Sequence, residues 1–240
     1  ILMIHENLFC VKIATGSFYF HYPFTTKSFN SIFKEYRIKG NKVIMKSDST
    51  EVKLNEVSRE DVLRIREWLD HDVISDNWFG RYSYGDPAHL GYNPKTVLFT
   101  DGAKWDEIFS APEHKIYSIY TSDDQHIGEV HLSIELSLGD AHYSVLIGRQ
   151  DMWHKGYGTS ATRKILNMAF NELNLYRVWV DIPTFNTSAV NLFDHLGFTH
   201  EGTLRKSRPL AGSRFNSVIM GMLSSEYHSQ FQNSSPGRGV

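Results

Sequence analysis

A chain of 240 residues with 41% apolar side chains is long enough to bury a full hydrophobic core, and it is read as one domain with appendages. A net charge of −2 offers no general attraction to polyanions, so a nucleic-acid partner is not expected, whereas a small molecule or a peptide end is. The lone cysteine, Cys10, cannot close an internal disulfide, which points to a reducing compartment, the cytoplasm. No apolar run reaches the roughly 18 residues of a membrane span, and no secretion signal is recognised at the start, so no membrane association is expected.

Residues 1–44 stand apart. They are dense in Phe, Tyr, Ile, Lys and Asn, carry six Lys/Arg against two Asp/Glu, and follow neither helical nor strand periodicity. Two readings fit: a short β-rich extension, or sequence upstream of a native start at Met45. The main domain is expected over 45–224. Val52 to Leu54 alternates as a short strand, and Ser58-Arg-Glu-Asp61 resembles a capping box with Asp in place of Glu. A helix is predicted from Arg59 to Asp70, burying Val62, Leu63, Ile65, Trp68 and Leu69. Residues 71–104 are punctuated by Gly80, Gly85, Pro87, Gly91, Pro94 and Gly102 among Trp78, Phe79, Tyr82, Tyr84 and Tyr92, and read as an aromatic loop that either covers substrate or packs on the core.

Three strands follow as an antiparallel meander: Ile116 to Tyr120, Ile127 to Glu135 and Ala141 to Gly148. Ala161, Ile165, Leu166, Ala169, Phe170 and Leu173 recur at helical spacing. Val178 to Val180 is a short strand, Thr187 to Leu196 a helix with Asn186 or Thr187 as N-cap and Gly197 with Phe198 as a C′ glycine followed by a hydrophobic contact, and Ser217 to Leu223 a last strand. The Ser-, Gln- and Asn-rich tail over 225–240 is expected to be disordered.

Between the meander and the long helix lies Trp153-His-Lys-Gly-Tyr-Gly-Thr-Ser-Ala161. Glycines leading into a helix make an anion site, because the first helical N–H groups are unpaired and no Cβ blocks their approach. Lys155 adds positive charge. The P-loop spacing is absent. Gly156-x-Gly158-x-x-Ala161 fits a dinucleotide fingerprint, with Asp181 placed for a ribose, but Arg149 to Lys155 separate it from the strand and too few strands follow for a parallel sheet.

The run Ile147-Gly-Arg-Gln-Asp-Met-Trp-His-Lys-Gly-Tyr-Gly-Thr159 resembles the acetyl-CoA pyrophosphate loop of the GNAT superfamily, in the branch of the ribosomal-protein N-terminal acetyltransferases. Leu175 to Val178, Asn186 to Ala189, Leu192 to Phe198, Glu201 to Arg205, and Gly212 with Ile219 to Gly221 match further family segments in order. The resemblance implies a mixed α/β fold: a twisted, mostly antiparallel sheet flanked by helices, its fourth and fifth strands splayed around acetyl-CoA. It implies an acetyl-CoA-dependent N-acetyltransferase without a metal, acting on a small-molecule amine or a peptide N-terminus, and allows a homodimer. Cofactor contacts would come from Ile147 and Gly148 through the backbone, from Trp153, His154, Lys155, Gly156, Tyr157, Gly158, Thr159 and Ser160 in the loop and helix start, and from Asn186, Ala189 and Phe193 on the following helix.

The acid–base groups depart from the family pattern. Phe193 stands where many members place a proton-donating Tyr, and Tyr143 where relatives often carry Glu. These changes also admit a catalytically silent acetyl-CoA-binding module. Candidate catalytic residues are Glu135, Tyr143 and His142. Glu129, His131 and Glu135 share one face of their strand, which either lines an acceptor pocket or is the solvated side of the sheet.

Overall fold

The computed structural model describes residues 50–79 and 91–232, together with the backbone of five strands before residue 46. The chain divides into two compact units, Ile1–Ser49 and Thr50–Val240, a boundary slightly later than the one at 44/45 expected from charge. In the first unit, β1 (Leu2–His5), β2 (Leu8–Ile13) and β3 (Gly16–His21) form an antiparallel sheet, and β4 (Tyr36–Lys39) and β5 (Lys42–Met45) a hairpin.

The second unit is built on seven strands: β6 (Val52–Glu56), β7 (His114–Thr121), β8 (His126–Glu135), β9 (Asp140–Ile147), β10 (Arg177–Pro183), β11 (Thr199–Leu210) and β12 (Ser213–Leu223). Their order is β11-β12-β10-β9-β8-β7-β6. Every neighbouring pair is antiparallel except β9 and β10. The mixed α/β architecture implied by the family resemblance is therefore the one observed. A dinucleotide-binding fold is ruled out, since its sheet is parallel, and Asp181, the residue placed for a ribose, instead forms an ion pair with Arg208.

Helix α1 (Arg59–Leu69) starts as predicted. Ser58 Oγ accepts from the Asp61 amide at 3.1 Å, and Asp61 Oδ2 accepts from the Ser58 amide at 3.0 Å, so the shorter carboxylate completes the box. Val62, Ile65 and Leu69 are buried, but Leu63 faces solvent and Asp61 is buried in its place, accepting hydrogen bonds from Ser118 Oγ (2.9 Å) and Tyr120 Oη (2.5 Å) on β7. The stripe keeps Val62, Ile65 and Leu69, and a hydrogen-bonded carboxylate completes it in place of Leu63.

The predicted loop over 71–104 is largely helical where it is described: α2 (Asp72–Phe79), α3 (Pro94–Val97) and α4 (Gly102–Phe109). Pro94 and Gly102, read as loop punctuation, stand at the first positions of helices here. Asn93 Oδ1 accepts from the Lys95 amide and Asp101 Oδ1 from the Lys104 amide, both at 2.9 Å. Residues 80–90, with Gly80, Tyr82, Tyr84, Gly85 and Pro87, lie outside the described residues.

Helix α5 (Tyr157–Asn167) continues into a π-helical turn, Met168–Glu172. Helix α6 (Thr187–His195) ends as the sequence suggests: Gly197 is left-handed at φ 88°, and the Phe198 and Gly197 amides return to the Phe193 and Asp194 carbonyls at 3.0 Å each, closing a Schellman motif. Strand β11 was not expected. It is an exposed edge strand with two irregularities and a positive φ at Lys206, so its side chains show no alternation to read. The tail begins as α7 (Ser224–Gln232), with Tyr227 buried against Phe170, and the end of it expected to be disordered, residues 233–240, lies outside the described range.

The core lies on one face of the sheet, where Val130, Leu132, Tyr143, Val178 and Val180 meet Ile165, Leu166 and Phe193. Two smaller clusters pack α1 to α4 on the other face.

Candidate active site

β9 and β10 pair only through Asp140, Ala141 and His142 against Arg177, Val178 and Trp179. Beyond these pairs β9 continues to Ile147, still bonded to β8, and β10 continues to Pro183, still bonded to β12. The two strands therefore part, leaving a wedge whose walls are their inner backbone edges.

Strand alternation decides which groups face the wedge. The Gly148 amide donates to the Ile127 carbonyl at 2.9 Å, on the β8 side, so the peptide groups of Ile147 face the opposite way. There the Trp153 indole donates to the Ile147 carbonyl at 2.7 Å, folding the loop after β9 back onto the strand. Of the two residues expected to offer backbone groups, Ile147 turns its peptide groups away from β8, and the Gly148 amide is already bonded to it. Gly148 has a steric role: a Cβ on it would fall 1.9 Å from the Trp68 ring.

At the end of β9, α5 begins on Gly156, whose φ of 93° lies in the left-handed region. Among the described residues no side chain caps this helix. The Ser160 amide is the first to close onto Gly156 (2.9 Å), so the amides of Tyr157, Gly158 and Thr159 precede the first intrahelical bond and supply the positive end of the helix dipole. A Cβ on Gly158 would stand 3.0 Å from Leu192 Cδ1 and 4.0 Å from Ile147 Cγ1, so the start of α5, α6 and the end of β9 converge at this glycine. His154 and Lys155 are exposed beside it, while Trp153, Tyr157, Thr159 and Ser160 are half-buried. This cradle of uncapped amides, two glycines and a lysine suits a pyrophosphate.

On the opposite wall Asn186 caps α6, its Oδ1 accepting from the Ala189 amide at 3.1 Å, and its Nδ2 donates to the Asn77 carbonyl at 2.6 Å, tying α2 to the start of α6. Ala189 is half-buried. Phe193 is part of the core, edge-on to Tyr143 (6.0 Å between centroids) and Phe198 (5.0 Å).

The three candidate catalytic residues are not brought together. Glu135 is exposed at the β8–β9 turn, accepting from Ser137 Oγ at 2.6 Å, opposite Asp140 and at the closed end of the wedge. Tyr143 is buried against α5, its hydroxyl 3.1 Å from Thr162 Oγ1; burial raises its pKa, against the weaker effect of that hydrogen bond. His142 alone stands where the strands part, tilted against Trp179 at 4.5 Å between centroids.

The face shared by Glu129 and His131 is covered, not solvated. Glu129 is 1% exposed and accepts from Tyr92 Oη at 2.6 Å. Burial, opposed by the Tyr92 hydrogen bond, pushes its carboxyl up to about 8. His131 lies under Gly91, with Nε2 3.0 Å from His114 Nδ1. Nearby, burial and the Arg64 charge outweigh the attraction of Asp61 and bring His126 down to about 4. Its contacts suit a neutral ring: Nδ1 accepts from Arg64 Nε (3.0 Å) and Nε2 donates to the Gly128 carbonyl (2.9 Å). Tyr92 was read in the sequence only as one ring in an aromatic stretch, and nothing local marks it as the partner of a residue on β8.

A family model described as an acetyltransferase (GNAT) domain matches residues 54–199. The uncharacterized N-acetyltransferase p20 of Bacillus licheniformis is 31% identical over 75 residues, which is 31% of this chain and 42% of that protein, so the match spans less than half of that curated relative. Among solved structures, spermidine N-acetyltransferase from Vibrio cholerae in complex with CoA and spermine superposes with a TM-score of 0.61 at 20% identity, covering 74% of this chain and 98% of that one. A dodecameric form of the Vibrio cholerae enzyme gives 0.60 at 20% identity, with 77% and 99% covered. At such identities the likeness is one of fold. Together with the parted strands and the glycine cradle, the family match over most of the second unit establishes that the chain belongs to the GNAT acetyltransferase domain family.

Proposed function

We propose that the chain transfers an acetyl group from acetyl-CoA to a primary amine of a small molecule by direct attack, without a covalent enzyme intermediate. The observation that carries this reading is the wedge between β9 and β10 with the uncapped start of α5 at its end. Acetyl-CoA supplies the activated acyl group as a thioester. The amides of Tyr157, Gly158 and Thr159, with the hydroxyls of Thr159 and Ser160, the charge of Lys155 and the ring nitrogens of His154, hold its pyrophosphate. The backbone of Ile147 aligns the pantetheine arm along β9, and Asn186 and Ala189 border it on the α6 side.

An attacking amine must be neutral, and an alkyl amine with pKa near 10 is almost wholly protonated at neutral pH, so the acceptor must lose a proton before the C–N bond forms and the C–S bond breaks. A small amine is favoured because the solved fold relatives are named for spermidine and one holds spermine. This support is analogy of fold. The finer resemblance to ribosomal-protein N-terminal acetyltransferases makes a peptide α-amine the competing acceptor.

Calorimetry with acetyl-CoA, followed by a free-thiol assay over polyamines, amino sugars and Ala- or Ser-initiated peptides, tests the reading. Saturable acetyl-CoA binding with thiol release on a small amine is expected. Binding without thiol release on any amine would instead make the domain a silent binding module, and release on peptides alone would move the acceptor to a protein N-terminus.

A further inference from the structure

We propose that Glu129, oriented by Tyr92, is the group that takes the proton from the acceptor amine, so that the base of this enzyme sits on β8 rather than on β9. The inference rests on the acetyltransferase reading above. Three observations carry it.

First, Glu129 lies directly opposite Leu146, the residue before Ile147, where β10 has already left β9. Its side chain is on the face away from α5, shared with Ser133 and His131, which pair with His142 and Ser144 at the beginning of the wedge. Second, one carboxyl oxygen accepts from Tyr92 Oη at 2.6 Å, while the other, Oε1, is buried without a hydrogen-bond partner among the described residues. A buried carboxyl with an idle oxygen stabilises a fold less than an apolar residue of the same size would. Third, Tyr92 packs on the cluster of Ile65, Leu69, Ile74 and Leu146, on which Trp153 also packs, so the hydroxyl that fixes Glu129 and the loop that borders the wedge share one packing unit.

The ionisable groups around Glu129 on each side are Tyr92 from the segment before α3, Asp61 from α1, and His131 two residues along β8, with Arg64 donating to both Asp61 and His126. Burial and the Asp61 charge raise the carboxyl and the Tyr92 hydrogen bond lowers it, which leaves it near 8, where a base can both accept and return a proton. In the step, the ionised Glu129 takes one proton from the acceptor ammonium. The freed lone pair attacks the thioester carbon, the C–S bond breaks, and the second nitrogen proton leaves with the thiolate as CoA thiol. Glu129 then returns its proton to solvent.

The test compares wild type with Glu129→Gln and Tyr92→Phe. Glu129→Gln is expected to bind acetyl-CoA within about twofold of wild type, to lose at least about 100-fold in kcat/KM, and to lose the rise in rate between pH 7 and 8. Tyr92→Phe removes the bond that lowers the carboxyl, so its acidic limb is expected to move to higher pH while the plateau rate is largely kept. A Glu129→Gln enzyme within about threefold of wild type with an unchanged pH profile overturns the proposal. So does a Tyr92→Phe profile superimposable on wild type, a readout that stands even if the glutamine variant folds poorly. A wild-type chain that binds acetyl-CoA but acetylates no amine overturns the acetyltransferase reading as well, whereas an active wild type with indifferent variants overturns only the role of Glu129.

Discussion

The Trp153 indole and the Ile147 carbonyl, 2.7 Å apart, close a loop of backbone at the point where β9 ends and the wedge is widest. The bond uses one acceptor site of a carbonyl that faces the wedge and fixes the direction in which the other points. Trp153→Phe keeps most of the packing on the cluster of Ile65, Leu69, Ile74 and Leu146 but removes the donor. Loss of one neutral hydrogen bond, about 1 kcal/mol, is expected to weaken acetyl-CoA binding about fivefold by calorimetry. Unchanged affinity would show that the loop is held by packing alone.

Gly156 and Gly158 are expected to separate stability from binding. Gly156→Ala forces a Cβ into a left-handed conformation at φ 93°, costing about 1–2 kcal/mol of stability in denaturant melts. Gly158→Ala has no such backbone strain but presses on Leu192 at 3.0 Å, and is expected to weaken acetyl-CoA binding more than it lowers stability. Equal losses in both properties for both variants would contradict the assignment.

Buried groups set opposing slopes of stability against pH. His126, lowered from 6.5 to about 4 mainly by burial, stays neutral in the fold, so the stability it contributes is full above pH 6.5 and lost as pH falls toward 4. Glu129, raised by burial from 4.5 to about 8, stays protonated in the fold, so its contribution is full below pH 4.5 and lost as pH rises toward 8. Asp61 is brought to about 2, burial being outweighed by hydrogen bonds from Tyr120 and Ser58, so its contribution is held above 3.8 and lost toward 2. Urea melts are expected to show little change between pH 4.5 and 6.5 and a fall in stability from 6.5 to 8. In Glu129→Gln the fall should vanish and a rise across pH 4.5 to 6.5 should emerge. A variant that still falls like wild type would refute the buried-carboxyl account.

Tyr143→Phe and Glu135→Ala are expected to leave catalysis within about twofold of wild type. The Tyr143 hydroxyl meets Thr162 in the core, so its loss should cost about 1 kcal/mol of stability instead. Glu135 is exposed at a turn, so its truncation should change neither property measurably. A 100-fold loss of kcat/KM in either variant would reinstate that residue.

What the sequence made legible follows from how local each signal is. The capping box at Ser58, the Schellman motif at Gly197 and the glycine start of α5 are written within a few residues of where they act, and each was readable. The parting of β9 and β10 was accessible only through the family resemblance, because no short stretch of either strand encodes the absence of a partner. Pro94 and Gly102 misled as loop punctuation, since the side-chain oxygens of Asn93 and Asp101 before them can make a turn or cap a helix, and the choice depends on packing from Trp105 and Ile108. The Glu129–Tyr92 pair was hidden for a different reason: alternation assigns a face to Glu129, but only tertiary structure determines whether that face meets water or a tyrosine from another segment.

The brevity of the β9–β10 ladder has a mechanical consequence. With three paired residues on each strand, the sheet behaves as two stiff panels, β6 to β9 and β10 to β12, joined by a narrow seam and by the helices packed across it. A ligand that bonds to both inner edges acts as a splint across the seam, so amide exchange along β9 and β10 should slow together on binding, and the melting temperature should climb with ligand concentration.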